Sequence, residues 1–150
     1  MSEVRGVETR KSVLVMHSAE AMFDLIEGAE HYPQFLPWCA GTTILARDDA
    51  IVVAEITVAY RGARFSFTTR NPKRRPEWLA VTMEHGPFRR FEGEWTLRAL
   101  TPDACKIEFS LNYEFGAALV GTLAAPVFDR IADKFVDAFV ARADALRARP

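Results

Sequence analysis

Between Cys105 and Phe115 the odd positions read Cys, Ile, Phe, Leu, Tyr, Phe and the even ones Lys, Glu, Ser, Asn, Glu. No other stretch restricts the fold as much, because a period of two over that length dictates a β-strand with one buried and one wet face. From Ala117 onward the period changes. Leu119, Leu123, Val127, Ile131, Phe135 and Phe139 recur four apart, flanked by Val120, Phe128, Ala132 and Val136, while Asp129, Asp133, Lys134, Asp137 and Arg142 lie mostly off that stripe. This spacing predicts a long amphipathic helix, and Pro126 is expected to kink it or to mark where a short lead-in piece joins a longer one.

The upstream residues supply the rest of a sheet. Glu8 to Val15 alternates weakly and reads as a strand, and Ser18 is a good N-cap for a short helix over Ala19 to Glu27 with Met22, Phe23 and Ile26 at helical spacing. Thr43 to Ala46, Ile51 to Tyr60 and Arg64 to Arg70 follow as strands, separated by turn-like Asp48-Asp49 and Arg61-Gly62. Asn71 to Pro76 reads as a loop by composition, and Trp78 to Glu84 and Phe91 to Ala99 add two strands around His85-Gly86-Pro87. The order strand, helix, antiparallel meander, long helix predicts an α+β domain in which a curved sheet wraps the terminal helix. Such an arrangement can enclose an internal cavity, of roughly 300–1,000 Å³ if it serves a ligand.

One domain is expected across the 150 residues, with 49% apolar content. A net charge of -1 excludes an overall polyanion-binding composition but not a local basic patch. The longest nearly uncharged run, Gly116 to Phe128, is too short for a bilayer span and contains Pro126. Charges are scattered through the N-terminal Met1 to Lys11, where a signal peptide would place its apolar stretch, so a cytoplasmic protein is expected. The two cysteines, Cys39 and Cys105, form no C-x-x-C and have no histidine at ligand spacing, so reduced, partly buried thiols are expected and no metal.

His31 to Cys39, H-Y-P-Q-F-L-P-W-C, gathers large apolar side chains on backbone that Pro33 and Pro37 limit to about one helical turn. Tyr32, Phe35, Leu36 and Trp38 therefore either plug one end of the core or rim a pocket, and set beside the helix stripe and the strand face they read as a rim. Chemistry is otherwise unadvertised. There is no nucleophile elbow, no H-E-x-x-H and no phosphate-binding glycine loop, and His17, His31 and His85 have no recognisable partners. Glu92 and Glu94 share a solvated strand face rather than forming an acid and base pair. No catalytic residue is expected. The cluster Arg70, Lys73, Arg74 and Arg75 reads as a soluble loop or as a contact for phosphates of lipid headgroups or RNA; without interleaved aromatics it is no sequence reader, and DNA is not an expected partner.

His31 to Cys39, then Phe67-Thr68-Thr69-Arg70, Glu84-His85-Gly86-Pro87-Phe88, Trp95, and Cys105 to Phe115 together resemble the coenzyme Q-binding START-domain family, which also includes ribosome-association toxins. The resemblance covers nearly the whole chain. It implies the helix-grip fold, a sheet curled round the C-terminal helix with a hydrophobic tunnel inside. It also implies non-catalytic binding of a polyprenylated quinone, ubiquinone, as carrier or chaperone in respiratory electron transport, with no cofactor required and with peripheral contact at the inner face of the membrane. The family's other branch implies association with the large ribosomal subunit and interference with subunit joining. Trp38 is similar to the quinone-binding branch. START-like folds also host polyketide cyclases and aromatases, an analogy at the level of fold alone. For a quinone, Trp95, Phe109, Leu111, Tyr113, Ile131, Phe135 and Phe139 are the expected interior residues, and Phe35, Leu36 and Trp38 the expected mouth, where the tail would gain about 25 cal/mol per Å² of apolar area buried.

Overall fold

The computed structural model describes residues 6–148, so positions 1–5 of the charged N-terminal stretch lie outside the described residues. Seven strands form one antiparallel sheet in the order β1-β7-β6-β5-β4-β3-β2. They are β1 (Val7–Val15), β2 (Cys39–Arg47), β3 (Ile51–Tyr60), β4 (Ala63–Arg74), β5 (Trp78–His85), β6 (Phe88–Thr101) and β7 (Ala104–Phe115). Strands β2 to β7 follow one another as a meander, and β1 returns to the far edge beside β7, with Val7 opposite Tyr113 and Val15 opposite Cys105. The chain crosses from β1 to β2 through α1 (Ala19–Glu27) and a 3-10 helix (Ala29–Gln34). Ser18 starts α1 as expected, its Oγ accepting from the Ala21 N–H at 3.1 Å.

The concave face of the sheet holds α2 (Ala124–Arg147), which is the helix-grip arrangement. Cys105, Ile107, Phe109, Leu111 and Tyr113 are all buried, the alternation read in the sequence. From the helix, Phe128, Ile131, Ala132, Val136, Phe139 and Ala143 complete the core. Phe139 is fully buried and meets the rings of Tyr32, Phe35, Trp95 and Phe135 at centroid distances of 5.4, 5.3, 5.4 and 5.0 Å. These are edge-on contacts, the favoured geometry for aromatic quadrupoles.

Several boundaries differ from the sequence reading: β2 starts at Cys39 instead of Thr43 and β6 at Phe88 instead of Phe91, and two further differences bear on the site. The long helix begins at Ala124, not Ala117, because Gly121 adopts φ +79 and Thr122 caps the turn, donating to Leu119 O at 2.7 Å and accepting from Ala124 N at 3.1 Å. Pro126 thus falls in the first turn, where its missing N–H breaks no intrahelical bond, and Leu123 stands out in solvent. The second difference lies at Asn71 to Arg74, which continue β4 instead of forming a loop. Lys73 N donates to Ala50 O at 2.9 Å, and Pro72 sits opposite Ile51, in a gap in the ladder to β5, which pairs Arg70 with Thr82 and next Lys73 with Leu79. A proline is tolerated there because the missing donor faces no acceptor.

Truncating the centre of the core should be costly. Phe139→Ala is expected to lower stability by about 3–5 kcal/mol in urea unfolding, whereas Leu14→Ala, at a side chain 69% exposed, should stay within about 0.5 kcal/mol.

Candidate functional site: an apolar cavity and two cationic surfaces

A row of inward positions crosses the middle of the sheet, with Val81 opposite Gly93 and Gly93 opposite Leu111. Gly93 has no side chain to offer the core. A Cβ there would lie 3.1 Å from Ser110 O and 3.3 Å from Leu111 Cδ1, so a side chain would press on β7, and without one Gly93 borders open space. That space is a cavity of about 70 Å³ between the sheet and α2. Phe91, Trp95 and Phe109 form its sheet side, Phe128, Ile131, Ala132 and Phe135 its helix side, and Tyr32 and Trp38 one end. It is much smaller than the ligand-sized tunnel expected from the sequence. Large, stiff rings on both surfaces interdigitate and fill most of the gap, as the 4.4 Å separation of Trp95 and Phe109 shows.

Of the residues expected to meet a ligand, Trp38, Trp95, Phe109, Leu111, Ile131 and Phe135 line this cavity. Leu36, Phe35, Tyr113 and Phe139 do not. Leu36 and Phe139 are core, Phe35 packs on Phe139 beneath the Arg142 guanidinium, and the Tyr113 hydroxyl donates to Asp129 Oδ1 at 2.5 Å. The His31 to Cys39 segment is therefore a wall that closes the cavity rather than an open rim: Tyr32 is buried and its hydroxyl is tied to Ile26 O.

The lining is almost free of titratable groups. Tyr32 is the one present, and burial pushes its phenol well above the usual range. Cys39, next to Trp38, is held as a neutral thiol, pushed up to about 11 by burial. The polar members of the lining are Thr69 and Asn71, which sequence reasoning missed because Thr69 carries no apolar signal on its strand and Asn71 falls in a stretch with the composition of a loop. Extending the inward parity of Phe65 and Phe67 two steps further along β4 would have found both.

Each cation of the expected phosphate-contact cluster carries a carboxylate partner. Arg70 pairs with Glu84 at 3.7 Å, Arg74 with Glu77 at 3.7 Å and Arg75 with Asp24 at 2.9 Å, all exposed. Lys73 is different: its side chain is 9% exposed and its Nζ lies 2.6 Å from Glu27, which also binds Arg47. This buried network ties α1 to β2 and β4. At the opposite end of the sheet, Arg61, Arg64, Arg130 and Lys134 are exposed and have no salt-bridge partner among the described residues. Arg61 lies over the Tyr60 ring, 5.3 Å from its centroid, and a hydrogen bond from Arg61 with the charges of Arg61 and Arg130 holds the Tyr60 phenol below its usual range. Leu123 reaches the same hairpin tip, against Gly62.

Comparison with known proteins agrees with this architecture. The family model described as polyketide cyclase / dehydrase and lipid transport matches residues 15–140. This chain belongs to that family. Within it, the ribosome association toxin RatA of Pseudomonas aeruginosa is 36% identical over 137 residues, covering 91% of this chain and 95% of the relative. The coenzyme Q-binding protein COQ10 homolog B of Xenopus laevis, a mitochondrial protein, is 24% identical over 149 residues, covering 97% of this chain and 61% of the relative. A START superfamily protein from Mycobacterium smegmatis shares the fold with a TM-score of 0.76 at 22% identity, over 93% of this chain and 98% of the other. The Zhui aromatase/cyclase from Streptomyces sp. R1128 does so with a TM-score of 0.79 at 17% identity, over 97% of each chain. The family's START-like helix-grip fold is thus the fold of this chain.

The contrast within the first cationic cluster is measurable. Lys73→Ala removes the buried charged partner of Glu27, which keeps only Arg47, and is expected to cost about 1.5–3 kcal/mol in urea unfolding, while Arg74→Ala, which loses only an exposed pair, should change stability by less than about 0.5 kcal/mol.

Proposed function

We propose that this chain acts without catalysis, associating with the ribosome through its large subunit and impeding subunit joining. The observation that carries this reading is the 36% identity to a ribosome association toxin, with 91% and 95% of the two chains in register. Two features of the molecule support it. The cavity lining offers no acid, base or nucleophile besides the buried Tyr32, and Arg61 and Arg130 converge as exposed cations at Tyr60, with Arg64 and Lys134 also exposed and without a salt-bridge partner among the described residues, charges suited to phosphate. A cytoplasmic location goes with this reading, and no helix among the described residues is long and apolar enough to cross a membrane.

A second reading is quinone carriage, favoured by the 24% identity to a coenzyme Q-binding protein along 97% of this chain. It requires the space of about 70 Å³ to widen several-fold, since a polyprenyl tail needs a pocket of at least roughly 300 Å³.

Co-sedimentation of the purified chain with separated ribosomal subunits tests the first reading. Binding to the large subunit should be strong at about 50 mM salt and fall steeply by about 200 mM. Arg61→Glu with Arg130→Glu should weaken it at least about tenfold, and Arg74→Glu with Arg75→Glu by much less, because those side chains already hold carboxylates. No co-sedimentation at low salt would refute this reading. Solvent extraction of gently purified protein that yields stoichiometric ubiquinone would favour the second.

A further inference from the structure

We infer that the cavity is a binding site for a compact, neutral molecule whose apolar body carries a hydroxyl group, and that Thr69 and Asn71 recognise that hydroxyl. The inference starts from two orphaned atoms. Thr69 Oγ1 and Asn71 Oδ1 are buried with no hydrogen-bond partner, and both residues line the cavity. Thr69 is 1% exposed, so water outside the protein does not reach its side chain. Burying polar atoms without partners costs free energy that nothing in the surrounding protein returns. Among the described residues, these two are the only buried side-chain polar atoms left in that state, and they face the same space.

Their placement defines what completes them. Thr69 and Asn71 are two apart on β4 and share its inward face, which sets their backbones roughly 7 Å apart. The Asn71 oxygen only accepts, whereas the Thr69 hydroxyl either donates or accepts. A hydroxyl lodged between them satisfies both, donating to Asn71 Oδ1 and accepting from Thr69 Oγ1. With the Asn71 amide oriented as it is, a carbonyl or an ether oxygen accepts from Thr69 and leaves Asn71 Oδ1 unpaired, and a hydrocarbon serves neither. The site therefore distinguishes a phenol or a quinol from the matching ether or quinone.

The remaining walls specify the body of the ligand. Phe91, Trp95, Phe109, Phe128 and Phe135 present ring faces and edges, and no charged side chain lines the space, so an acid or an amine would be buried unpaired. The volume of about 70 Å³ limits the body to a single small ring or a short branched chain. Phe91, Phe135, Val81 and Asn71 are only half-buried, so the lining is not sealed at every point. This site is separate from the cationic tip invoked for ribosome association, so either can fail without the other.

The test is a nuclear magnetic resonance titration of the full chain with phenol, anisole and toluene, three probes of one ring that differ in hydrogen-bonding capacity. Phenol should saturate with shifts centred on Thr69, Asn71 and the cavity rings, and should bind at least about tenfold more tightly than anisole or toluene. Thr69→Val keeps the side-chain shape and removes one orphan, so it should raise the melting temperature of the free protein while bringing phenol close to toluene in affinity. Asn71→Leu should erase the same preference. Equal affinity for the three probes would overturn the inference, as would a phenol affinity untouched by Thr69→Val. A crystal structure with only ordered water on Thr69 and Asn71, together with no phenol binding at millimolar concentration, would overturn it as well. If Asn71→Leu does not fold, Thr69→Val decides alone.

Discussion

The contact between the apolar stripe of α2 and the concave face of the sheet holds this molecule together, and its centre is Phe139. That ring touches Tyr32 and Phe35 from the segment before β2, Trp95 from β6 and Phe135 from its own helix. Four rings from three parts of the chain thus converge on one fully buried side chain. Edge-on ring pairs favour particular orientations, so the contact fixes how deep the helix sits as well as whether it binds. The depth in turn decides the cavity. Rings on both sides meet before the helix reaches the sheet at Gly93, where no side chain fills the remaining gap, and a small void survives inside an otherwise close-packed core.

Charge is distributed with equal consequence. At the end of the sheet near α1, positive side chains are spent on carboxylates of the same molecule, and the buried Lys73–Glu27 pair serves the architecture more than any partner. Around the β3–β4 hairpin no acidic residue occurs from Ile56 to Pro76, and the start of α2 adds none until Asp129, whose carboxylate accepts from Tyr113. Arg61, Arg64, Arg130 and Lys134 accordingly stay exposed with no salt-bridge partner among the described residues. Proteins that share this fold at 17% and 22% identity include an aromatase/cyclase and a START superfamily protein. Function on such a scaffold resides in the lining and the surface charge rather than in the fold.

Much of the fold was legible from periodicity. β7 was read from its strict alternation, β3 to its exact ends, and the helix stripe from residues four apart, because a side chain's burial along one element follows its own backbone geometry. Asn71 to Arg74 misled because a proline and three polar residues have the composition of a loop. Only the neighbouring strands reveal that Pro72 falls at a gap in the ladder. The candidate site was half legible. Trp38, Trp95, Phe109, Leu111, Ile131 and Phe135 follow from apolar faces, but Thr69, Asn71 and Gly93 carry no apolar signal, and it is these that make the cavity and give it polarity.

The sequence by itself determined the element order, the faces that must be buried and the family, because each of these is written in local spacing and in residues that need no partner to be recognised. The tertiary structure alone decided the rest. It turned the proline-aromatic segment from a rim into a wall, reduced the expected tunnel to about 70 Å³ and matched the Arg70 to Arg75 cations with carboxylates. The physical reason is common to all three. Whether a ring fills a space, and whether a charge is free, depends on side chains tens of residues away, such as Phe139 on Tyr32 or Glu27 on Lys73, and their separation is set by how the sheet curls.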